Sequence, residues 1–326
     1  MSGSGALECR ICSNQAGNRP WMAYEMMLGT RTPFRYFECA SCGCLQIETI
    51  PADLDRYYPG DYYSFDEPPS SRGTGIGARL KSWRDGAELR GAPWIGRLLA
   101  WRQPNRELAA LRGLGLKPGA RILDVGAGRG RMLRMFGDLG FRSLAGIDTH
   151  LPSAKIVHPG FSLFRKSIFE CEEEYDLVMF SHSFEHMEDP QRVLAQTRKL
   201  LDPSGACFLR IPTSSSFAWR HYRTDWVQLD APRHFYLHST ASLERVVRAA
   251  GFRIESLRCD SSALQFWGSE QYRSGIPLFS EQSYAKNPAA SMFNRADLRA
   301  FHRRARELDR RGEGDEIVVI LRPEAQ

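Results

Sequence analysis

The stretch RILDVGAGRGR at residues 121–131 decides the fold. Its apolar first half is suited to a buried strand. Gly126, Gly128 and Gly130 follow at the point where the chain must turn sharply into a helix. The dinucleotide-binding fingerprint G-x-G-x-x-G has its third glycine one position later, where this chain has Arg131. The turn therefore predicts a nucleotide-binding loop but does not identify which nucleotide it binds.

Strand and helix patterns alternate along the chain around this turn. Apolar segments predict further strands at 141–150, 175–190 and 205–212, and the second of these runs into a polar, His-rich turn. Segments with helical periodicity predict helices at about 129–139, 190–201 and 241–252. Such alternation is typical of an α/β fold in which parallel strands are joined by right-handed helical crossovers. Ligands of these folds bind outside the carboxyl ends of the strands, where the polar turns gather.

These motifs, in this order, resemble those of the class I S-adenosylmethionine-dependent methyltransferases over roughly residues 105–325. The resemblance implies a Rossmann-like, doubly wound α/β fold with a mostly parallel, seven-stranded sheet. Its last strand, at 316–323, would run antiparallel to the others and follow a strand at 253–259. Residues 261–315 would then be an insertion of loops and helices that shapes the acceptor pocket.

The same resemblance implies where S-adenosylmethionine binds. The glycine turn matches the motif that wraps the methionine part of the cofactor, and Asp148 matches the acid that holds the ribose hydroxyls. Many relatives have an acid near the adenine amine; this chain has KSIF at 166–169, so we expect adenine to rely on apolar packing there. The implied cofactor-binding residues are Asp124, Gly126, Gly128, Asp148, Thr149, Ser167, Ile168 and Ser181. A dinucleotide-binding domain and a fold that has lost its cofactor are the alternatives.

The composition is that of a globular protein with a mild positive charge. The 326 residues include 44 basic and 38 acidic side chains, which leaves a formal net charge of +6. The arginine-rich segment 295–311 predicts a helix whose basic face is either solvated or contacts nucleic acid, an anionic membrane or phosphates. The sequence has no apolar run long enough to span a bilayer, and its N-terminus lacks a signal-peptide core. We therefore expect a cytoplasmic protein.

Five of the eight cysteines lie within the first 44 residues, as CRIC at 9–12 and CASCGC at 39–44. Two C-x-x-C pairs can complete a closed tetrahedron around a structural Zn²⁺ ion. The pattern predicts a small zinc-ribbon-like module at 1–50 whose ligands are Cys9, Cys12, Cys39 and Cys42, with Cys44 as a spare or alternative ligand. A redox or metal-free arrangement is the other interpretation. We expect Cys171, Cys207 and Cys259 to be inert core residues.

Residues 51–104 are predicted to connect this module to the methyltransferase domain at 105–326. The aromatic run RYYPGDYYSF at 56–65 either walls a sugar or ring substrate or packs the two parts together. The composition of 66–77 is typical of a loop or linker, and a helix is expected after it. This layout resembles methyltransferases of bacterial glycan and secondary-metabolite pathways.

The turn SHSFEH at 181–186 contains the first candidates for acid–base chemistry. A hydroxyl acceptor needs a general base, and histidine is suited to that role at neutral pH. The E-x-x-E-H of ubiquinone-pathway O-methyltransferases, which holds a divalent cation, is similar, but His182 replaces its first acid. Three interpretations are open: His182 or His186 is the base, these two and Glu185 bind an additional divalent cation, or Glu185 and His186 only hydrogen-bond the helix start and nearby loops.

The loop DWVQLDAPRHFYLHS at 225–239 contains a second group of candidates. His234 is a further possible base, Arg233 is suited to bind an anionic substrate group, and Trp226 is suited to stack on a ring. The alternative is a lid whose aromatic side chains pack and whose histidine caps the helix that begins at Ser239 or Thr240.

Together these features predict an S-adenosylmethionine-dependent methyltransferase that methylates a hydroxyl of a small molecule or glycan, with His182, His186 or His234 as base. Two alternatives remain. An RNA base methyltransferase would bind nucleic acid with the zinc module and the arginine-rich helix. The core, however, lacks the row of basic residues with interleaved aromatic residues that is typical of nucleic-acid binding. A cofactor-binding scaffold would bind without transferring methyl. The sequence does not indicate the oligomeric state.

Overall fold

The computed structural model describes residues 7–58, 76–90, 105–158 and 160–324. The strands are β1 (Arg19–Tyr24), β2 (Pro33–Glu38), β3 (Leu45–Ile47), β4 (Arg121–Val125), β5 (Ser143–Ile147), β6 (Lys155–His158), β7 (Phe161–Phe164), β8 (Tyr175–Ser181), β9 (Leu201–Pro212), β10 (Tyr236–Leu237), β11 (Phe252–Cys259) and β12 (Glu316–Pro323). The helices are α1 (Ile76–Arg90), α2 (Arg106–Ala110), α3 (Arg131–Asp138), α4 (Pro190–Leu200), α5 (Phe217–Tyr222), α6 (Thr240–Ala249), α7 (Leu264–Arg273) and α8 (Arg295–Arg310).

The larger sheet has the order β11-β12-β9-β8-β4-β5-β7-β6. The pairs that join β9, β8, β4, β5 and β7 are parallel, and β12 is antiparallel to both of its neighbours. This confirms the predicted α/β fold with a mostly parallel sheet and an antiparallel last strand. The carboxyl ends of β4, β5 and β8 meet at one edge, where the candidate site lies.

The described residues place eight strands in this sheet, so the predicted number of seven is wrong. The eighth strand, β6, forms an antiparallel hairpin with β7 through a turn at Gly160. Residues of β6 are exposed or half-buried in alternation. Because an edge strand of four residues has no continuous apolar run, hydrophobic patterning alone does not detect it.

The N-terminal sheet, in the order β1-β2-β3-β10, takes its last strand from the loop that follows β9. Tyr236 pairs antiparallel with Gln46, and Leu237 pairs with Leu45. Buried side chains of this sheet belong to the same hydrophobic cluster as residues of the larger sheet. The cysteine-rich part of the chain is therefore packed against the larger sheet.

Local capping explains the helix boundaries beside the site. Asp189 caps α4 by accepting a hydrogen bond from the Arg192 backbone N–H, and proline follows at the first helical position. Ser239 caps α6 in the same way, and Gly251, with a positive φ, ends the segment. The helices predicted at 190–201 and 241–252 are confirmed to within a few residues.

Parts of the connecting region lie outside the described residues. Of the aromatic run at 56–65, only 56–58 are described, and of the predicted linker, 66–75 are not. Residues 76 and 77 begin α1. Within the described ranges, none of the helices is both long and apolar enough to cross a membrane.

Candidate active site

A first cavity lies at the carboxyl ends of β4, β5 and β8, with about 930 Å³ of empty space. Most of the predicted cofactor-binding residues line it: Gly126, Gly128, Asp148, Thr149, Ser167 and Ile168. Val193 and Met187 add apolar wall. The first cavity thus combines an apolar wall, which suits a base, with a carboxylate and backbone groups, which can hydrogen-bond a sugar. This combination is suited to a nucleoside.

The backbone of the glycine turn explains why these positions cannot carry side chains. Gly126 has φ +73° and Gly130 has φ +74°, in the left-handed region that favours glycine. A Cβ on Gly126 would also collide with Ser183. Arg131, at the place of the third fingerprint glycine, begins α3 and pairs with Glu107.

Asp148 connects the end of β5 to the glycine turn. Its carboxylate accepts hydrogen bonds from the Gly128 N–H at 3.0 Å and from the His150 N–H at 2.8 Å. These bonds hold the carboxylate at the mouth of the first cavity, beside the turn. An acid fixed in this place can accept further hydrogen bonds from a vicinal diol such as that of ribose.

Tyr58 is a cavity residue that the sequence analysis did not single out. It lines the first cavity, its ring stacks on His150 with a centroid distance of 5.3 Å, and its hydroxyl lies 3.1 Å from Nδ1 of His186. The aromatic run at 56–65 was the available signal, but it indicated either a substrate wall or packing between the two parts of the chain, not a contact with the cofactor. The N-terminal part of the chain thus contributes directly to the first cavity.

A second, larger cavity, with about 1870 Å³ of empty space, adjoins the first. The two share Gly126, Gly128, His182 and His186. Asp124 and Ser181, predicted as cofactor-binding, line the second cavity and not the first. Its remaining wall includes apolar side chains from the region 261–315: Leu264, Trp267, Leu278 and Phe279. That region therefore does shape the larger cavity.

Asp124 is a buried acid at the wall of the second cavity, with 3% of its surface exposed. Burial, together with the nearby carboxylate of Asp148, raises its pKa from 3.8 to about 7. A cationic group placed beside Asp124 would relieve this penalty. The position thus favours a ligand that carries positive charge.

His182 stands between the two cavities in a strained conformation. Its φ is +55°, which is uncommon for a residue with a side chain, and its N–H donates to the Arg210 carbonyl at 2.9 Å. Its Nδ1 lies 3.8 Å from Glu185 and its Nε2 lies 3.6 Å from Glu316. Although 37% of the side chain is accessible, desolvation by the cavity walls and the charge of Arg210 lower its pKa to about 3.

Glu185, His186 and His234 form a compact group behind His182. One potential ligand atom from each lies within 4.8 Å of the others. Glu185 has no exposed surface, and neither carboxylate oxygen has a hydrogen-bond partner among the described residues. Burial raises the pKa of Glu185 to about 8. His186 does contact a nearby loop, through the carbonyl of Arg233.

Arg233 and Trp226 are not among the residues that line the second cavity, which favours the interpretation of this loop as a packed lid for these two side chains. Arg233 has no exposed surface and pairs with Asp230 and Glu25, the latter at 2.9 Å. Trp226 is equally buried, and its Nε1–H donates to Asp315 at 3.0 Å. Both residues hold the loop in place. Asp230 and Glu25 neutralise the charge of Arg233, and Asp315 accepts a hydrogen bond from Trp226.

The four predicted zinc ligands come together away from both cavities. The Sγ atoms of Cys9, Cys12, Cys39 and Cys42 all lie within 4.8 Å of one another, with 3.6 Å between Cys9 and Cys42. Four sulfurs about 2.3 Å from a tetrahedral ion stand about 3.8 Å apart, so the set fits Zn²⁺. Cys44 is not in the group; its Sγ contacts the Leu45 carbonyl.

A comparison with known protein families matches the part of the chain that contains the glycine turn. Residues 97–257 match the family model for a methyltransferase domain. This part of the chain belongs to the class of methyltransferase domains. Members of this class use S-adenosylmethionine as the methyl donor, and the first cavity has the carboxylate, turn and apolar wall that this molecule requires. No curated protein matches the chain.

Several solved structures are similar to the chain. A putative methyltransferase in complex with the Haloferax volcanii Trm112 methyltransferase activator is 16% identical, with 77% of this chain and 99% of that chain covered and a TM-score of 0.46. A S-adenosylmethionine-dependent methyltransferase from Archaeoglobus fulgidus is 17% identical, with 70% and 99% covered and a TM-score of 0.42. The Burkholderia thailandensis 1,6-didemethyltoxoflavin-N1-methyltransferase is 15% identical, with 80% and 93% covered and a TM-score of 0.39.

Proposed function

We propose that this methyltransferase transfers methyl to a hydroxyl of a small molecule or glycan bound in the second cavity. The observation that carries the proposal is the place of His182, which lines both cavities at their junction. A group at a junction of donor and acceptor cavities is within reach of the reacting atoms of both ligands. The apolar wall with Trp267 and the polar side with Asp230 and Gln228 are suited to a ring that bears hydroxyl groups.

In this proposal the cofactor occupies the first cavity. Asp148 accepts hydrogen bonds from the ribose hydroxyls, Gly126 and Gly128 follow the methionine part, and Thr149, Ser167 and Ile168 surround the adenine side. Asp124 and Ser181 contact the cofactor from the second cavity, and burial of Asp124 favours the positive charge that the cofactor brings. When bound, S-adenosylmethionine supplies an activated methyl group on a sulfonium.

We assign the role of general base to His182. Its ring has no hydrogen bond among the described residues, so a ring nitrogen is available to accept the proton of the acceptor hydroxyl. Glu316, 3.6 Å from Nε2, would stabilise the imidazolium that forms. His186 and His234 are less suited, because the Nδ1 of each is 2.7 Å from a backbone carbonyl and Nε2 of His234 lies 3.9 Å from Glu185.

The cysteine group has a separate role in the proposal. Cys9, Cys12, Cys39 and Cys42 hold a structural Zn²⁺ ion, because four thiolates leave no open position for a substrate. The amide of Gln46 donates to the Cys9 sulfur at 3.1 Å, an outer contact that is typical of thiolate ligands.

The test uses the purified full-length protein with methyl-labelled S-adenosylmethionine and a panel of phenolic and sugar hydroxyl acceptors. We expect O-methyl products by mass spectrometry. We expect His182→Gln to lower kcat by about 10²–10⁴-fold while the Kd of S-adenosylhomocysteine changes less than about threefold. The surface variant His221→Gln is the control. Wild-type turnover in His182→Gln, or products methylated only at nitrogen or carbon, would refute the proposal.

A further inference from the structure

The Glu185 carboxylate is an unexplained feature of the wall between the cavities. It has no exposed surface, and both of its oxygens lack a hydrogen-bond partner among the described residues. A buried carboxylate without partners costs several kcal/mol unless a cation or a set of donors compensates it. The presence of an acid in this position therefore indicates a ligand that compensates its charge.

Two imidazoles are oriented for that ligand. Nδ1 of His186 lies 2.7 Å from the Arg233 carbonyl, and Nδ1 of His234 lies 2.7 Å from the Gln228 carbonyl. A carbonyl oxygen only accepts hydrogen bonds, so each Nδ1 carries the proton and donates it. In a neutral ring the Nε2 atom then has its lone pair free, which is how histidine ligands are commonly held for a metal.

The free nitrogens and the carboxylate converge. Nε2 of His234 lies 3.9 Å from Oε1 of Glu185, and the rings of His186 and His234 are 4.8 Å apart between centroids. The three ligand atoms together lie within 4.8 Å of one another. Donors about 2.1 Å from a common ion stand about 3.0–3.4 Å apart, so the side chains need to close by about 0.5–0.9 Å at the His234–Glu185 pair and by less than about 2 Å at the others.

The charges around the group favour a cation. Arg233, whose backbone carbonyl lies beside His186, pairs through its guanidinium with Asp230 and Glu25. Asp230 also lies 3.8 Å from Nε2 of His234. The group therefore contains the carboxylate of Glu185 and has the carboxylate of Asp230 beside it.

We propose that Glu185, His186 and His234 bind a divalent transition-metal ion. Two nitrogens and one carboxylate oxygen are suited to Zn²⁺, Fe²⁺ or Mn²⁺, whereas Mg²⁺ and Ca²⁺ prefer sites made of oxygen. His186 and His234 line the second cavity, so an ion held by them would be accessible to an acceptor bound there. This set replaces the predicted trio of His182, Glu185 and His186, since His182 stands outside the ligand group.

The catalytic consequence rests on the proposed function. An acceptor hydroxyl bound to the ion would have a lower pKa than in water. Its proton would then pass to His182, whose ring nitrogen lies 3.8 Å from Glu185. Metal binding itself is independent of this role and is tested separately.

The test is a titration of the full-length protein with Mn²⁺, followed by the electron paramagnetic resonance of free Mn²⁺. The probe is selective, because four thiolates are a poor site for Mn²⁺. We expect one Mn²⁺ per chain in the wild type and at least a tenfold rise in Kd for Glu185→Gln and for His234→Gln. The controls are Glu188→Gln and His221→Gln, both at exposed positions, which should bind like the wild type.

A second measurement applies if the core variants do not fold. Pulsed electron paramagnetic resonance of the wild-type Mn²⁺ complex should show nitrogen couplings from two imidazoles. Absence of Mn²⁺ binding by the wild type, wild-type binding in Glu185→Gln and His234→Gln, or a complex without imidazole nitrogen would overturn the proposal. These measurements detect metal binding and do not depend on methyl transfer. The proposed function is tested separately, by the methylated product, so failure of one proposal can be distinguished from failure of the other.

Discussion

Asp148 is the residue on which the expected cofactor geometry depends most. Hydrogen bonds to a charged acceptor contribute about 1.5–3 kcal/mol each. We therefore expect Asp148→Asn to weaken S-adenosylhomocysteine binding by roughly 10–100-fold, measured by calorimetry. The exposed variant Glu172→Gln serves as the matched control. Equal affinity in Asp148→Asn and the wild type would show that the carboxylate does not hold the cofactor.

Asp124 makes the stability of the cofactor-free protein depend on pH. Its pKa is about 7 in the folded protein, against an ordinary value of 3.8. Between these values the folded state binds more protons than the unfolded state, so this residue's contribution to the free energy of unfolding falls as pH rises from about 4 to about 7. The loss is about 1.4 kcal/mol for each pKa unit.

Urea unfolding at pH 5, 6, 7 and 8 checks this prediction, with the wild type compared to Asp124→Asn. Asparagine does not titrate, so the stability of the wild type relative to the variant should decline across the series and level off above pH 7. A difference between the two proteins that stays constant with pH would contradict the assignment.

At the level of elements, the loop between β9 and α6 is held by a buried charge network. Arg233 pairs with Asp230 of the same loop and with Glu25, which follows β1, and its guanidinium also donates to the Tyr57 carbonyl at 3.1 Å. The loop also supplies β10 to the N-terminal sheet. These contacts connect His234 to the cysteine-rich part of the chain.

Removal of one member of this network should be strongly destabilising. Arg233→Met leaves two buried carboxylates without their partner, and we expect a loss of about 3–5 kcal/mol in the free energy of unfolding. Arg192→Met, which removes an exposed pair with Asp189, should cost less than about 1 kcal/mol. Denaturant titrations of both variants provide the measurement, and similar losses in the two would argue against the network.

For the whole molecule, the cysteine site and the catalytic sheet should unfold together. Cys39 and Cys42 belong to the same hydrophobic cluster as residues of β9 and of the loop after it. We expect a chelator, or Cys39→Ser, to remove one zinc per chain and to lower the temperature of a single cooperative unfolding transition. Differential scanning calorimetry with metal analysis checks this. A separate low-temperature transition, with the main one unchanged, would instead show an independent module.

Much of the fold was predictable because its signals are local. The strand before the glycine turn, the spacing of the cysteine pairs and the caps of α4 and α6 each occupy a few consecutive residues. Patterns of this kind identify the α/β fold and the cysteine group. The short strands β6 and β10 were missed, since two to four residues carry too little periodicity.

The sequence by itself determined which groups can do chemistry: the glycine turn, Asp148, the histidines and the cysteines. Only the tertiary structure decided which of them meet. Arg233 pairs with an acid 208 positions away, His234 faces Glu185, and Tyr58 reaches the first cavity. The physical reason is that periodicity and propensity encode local conformation, whereas burial and neighbouring charge, which set the role of each ionisable group, arise when distant segments pack.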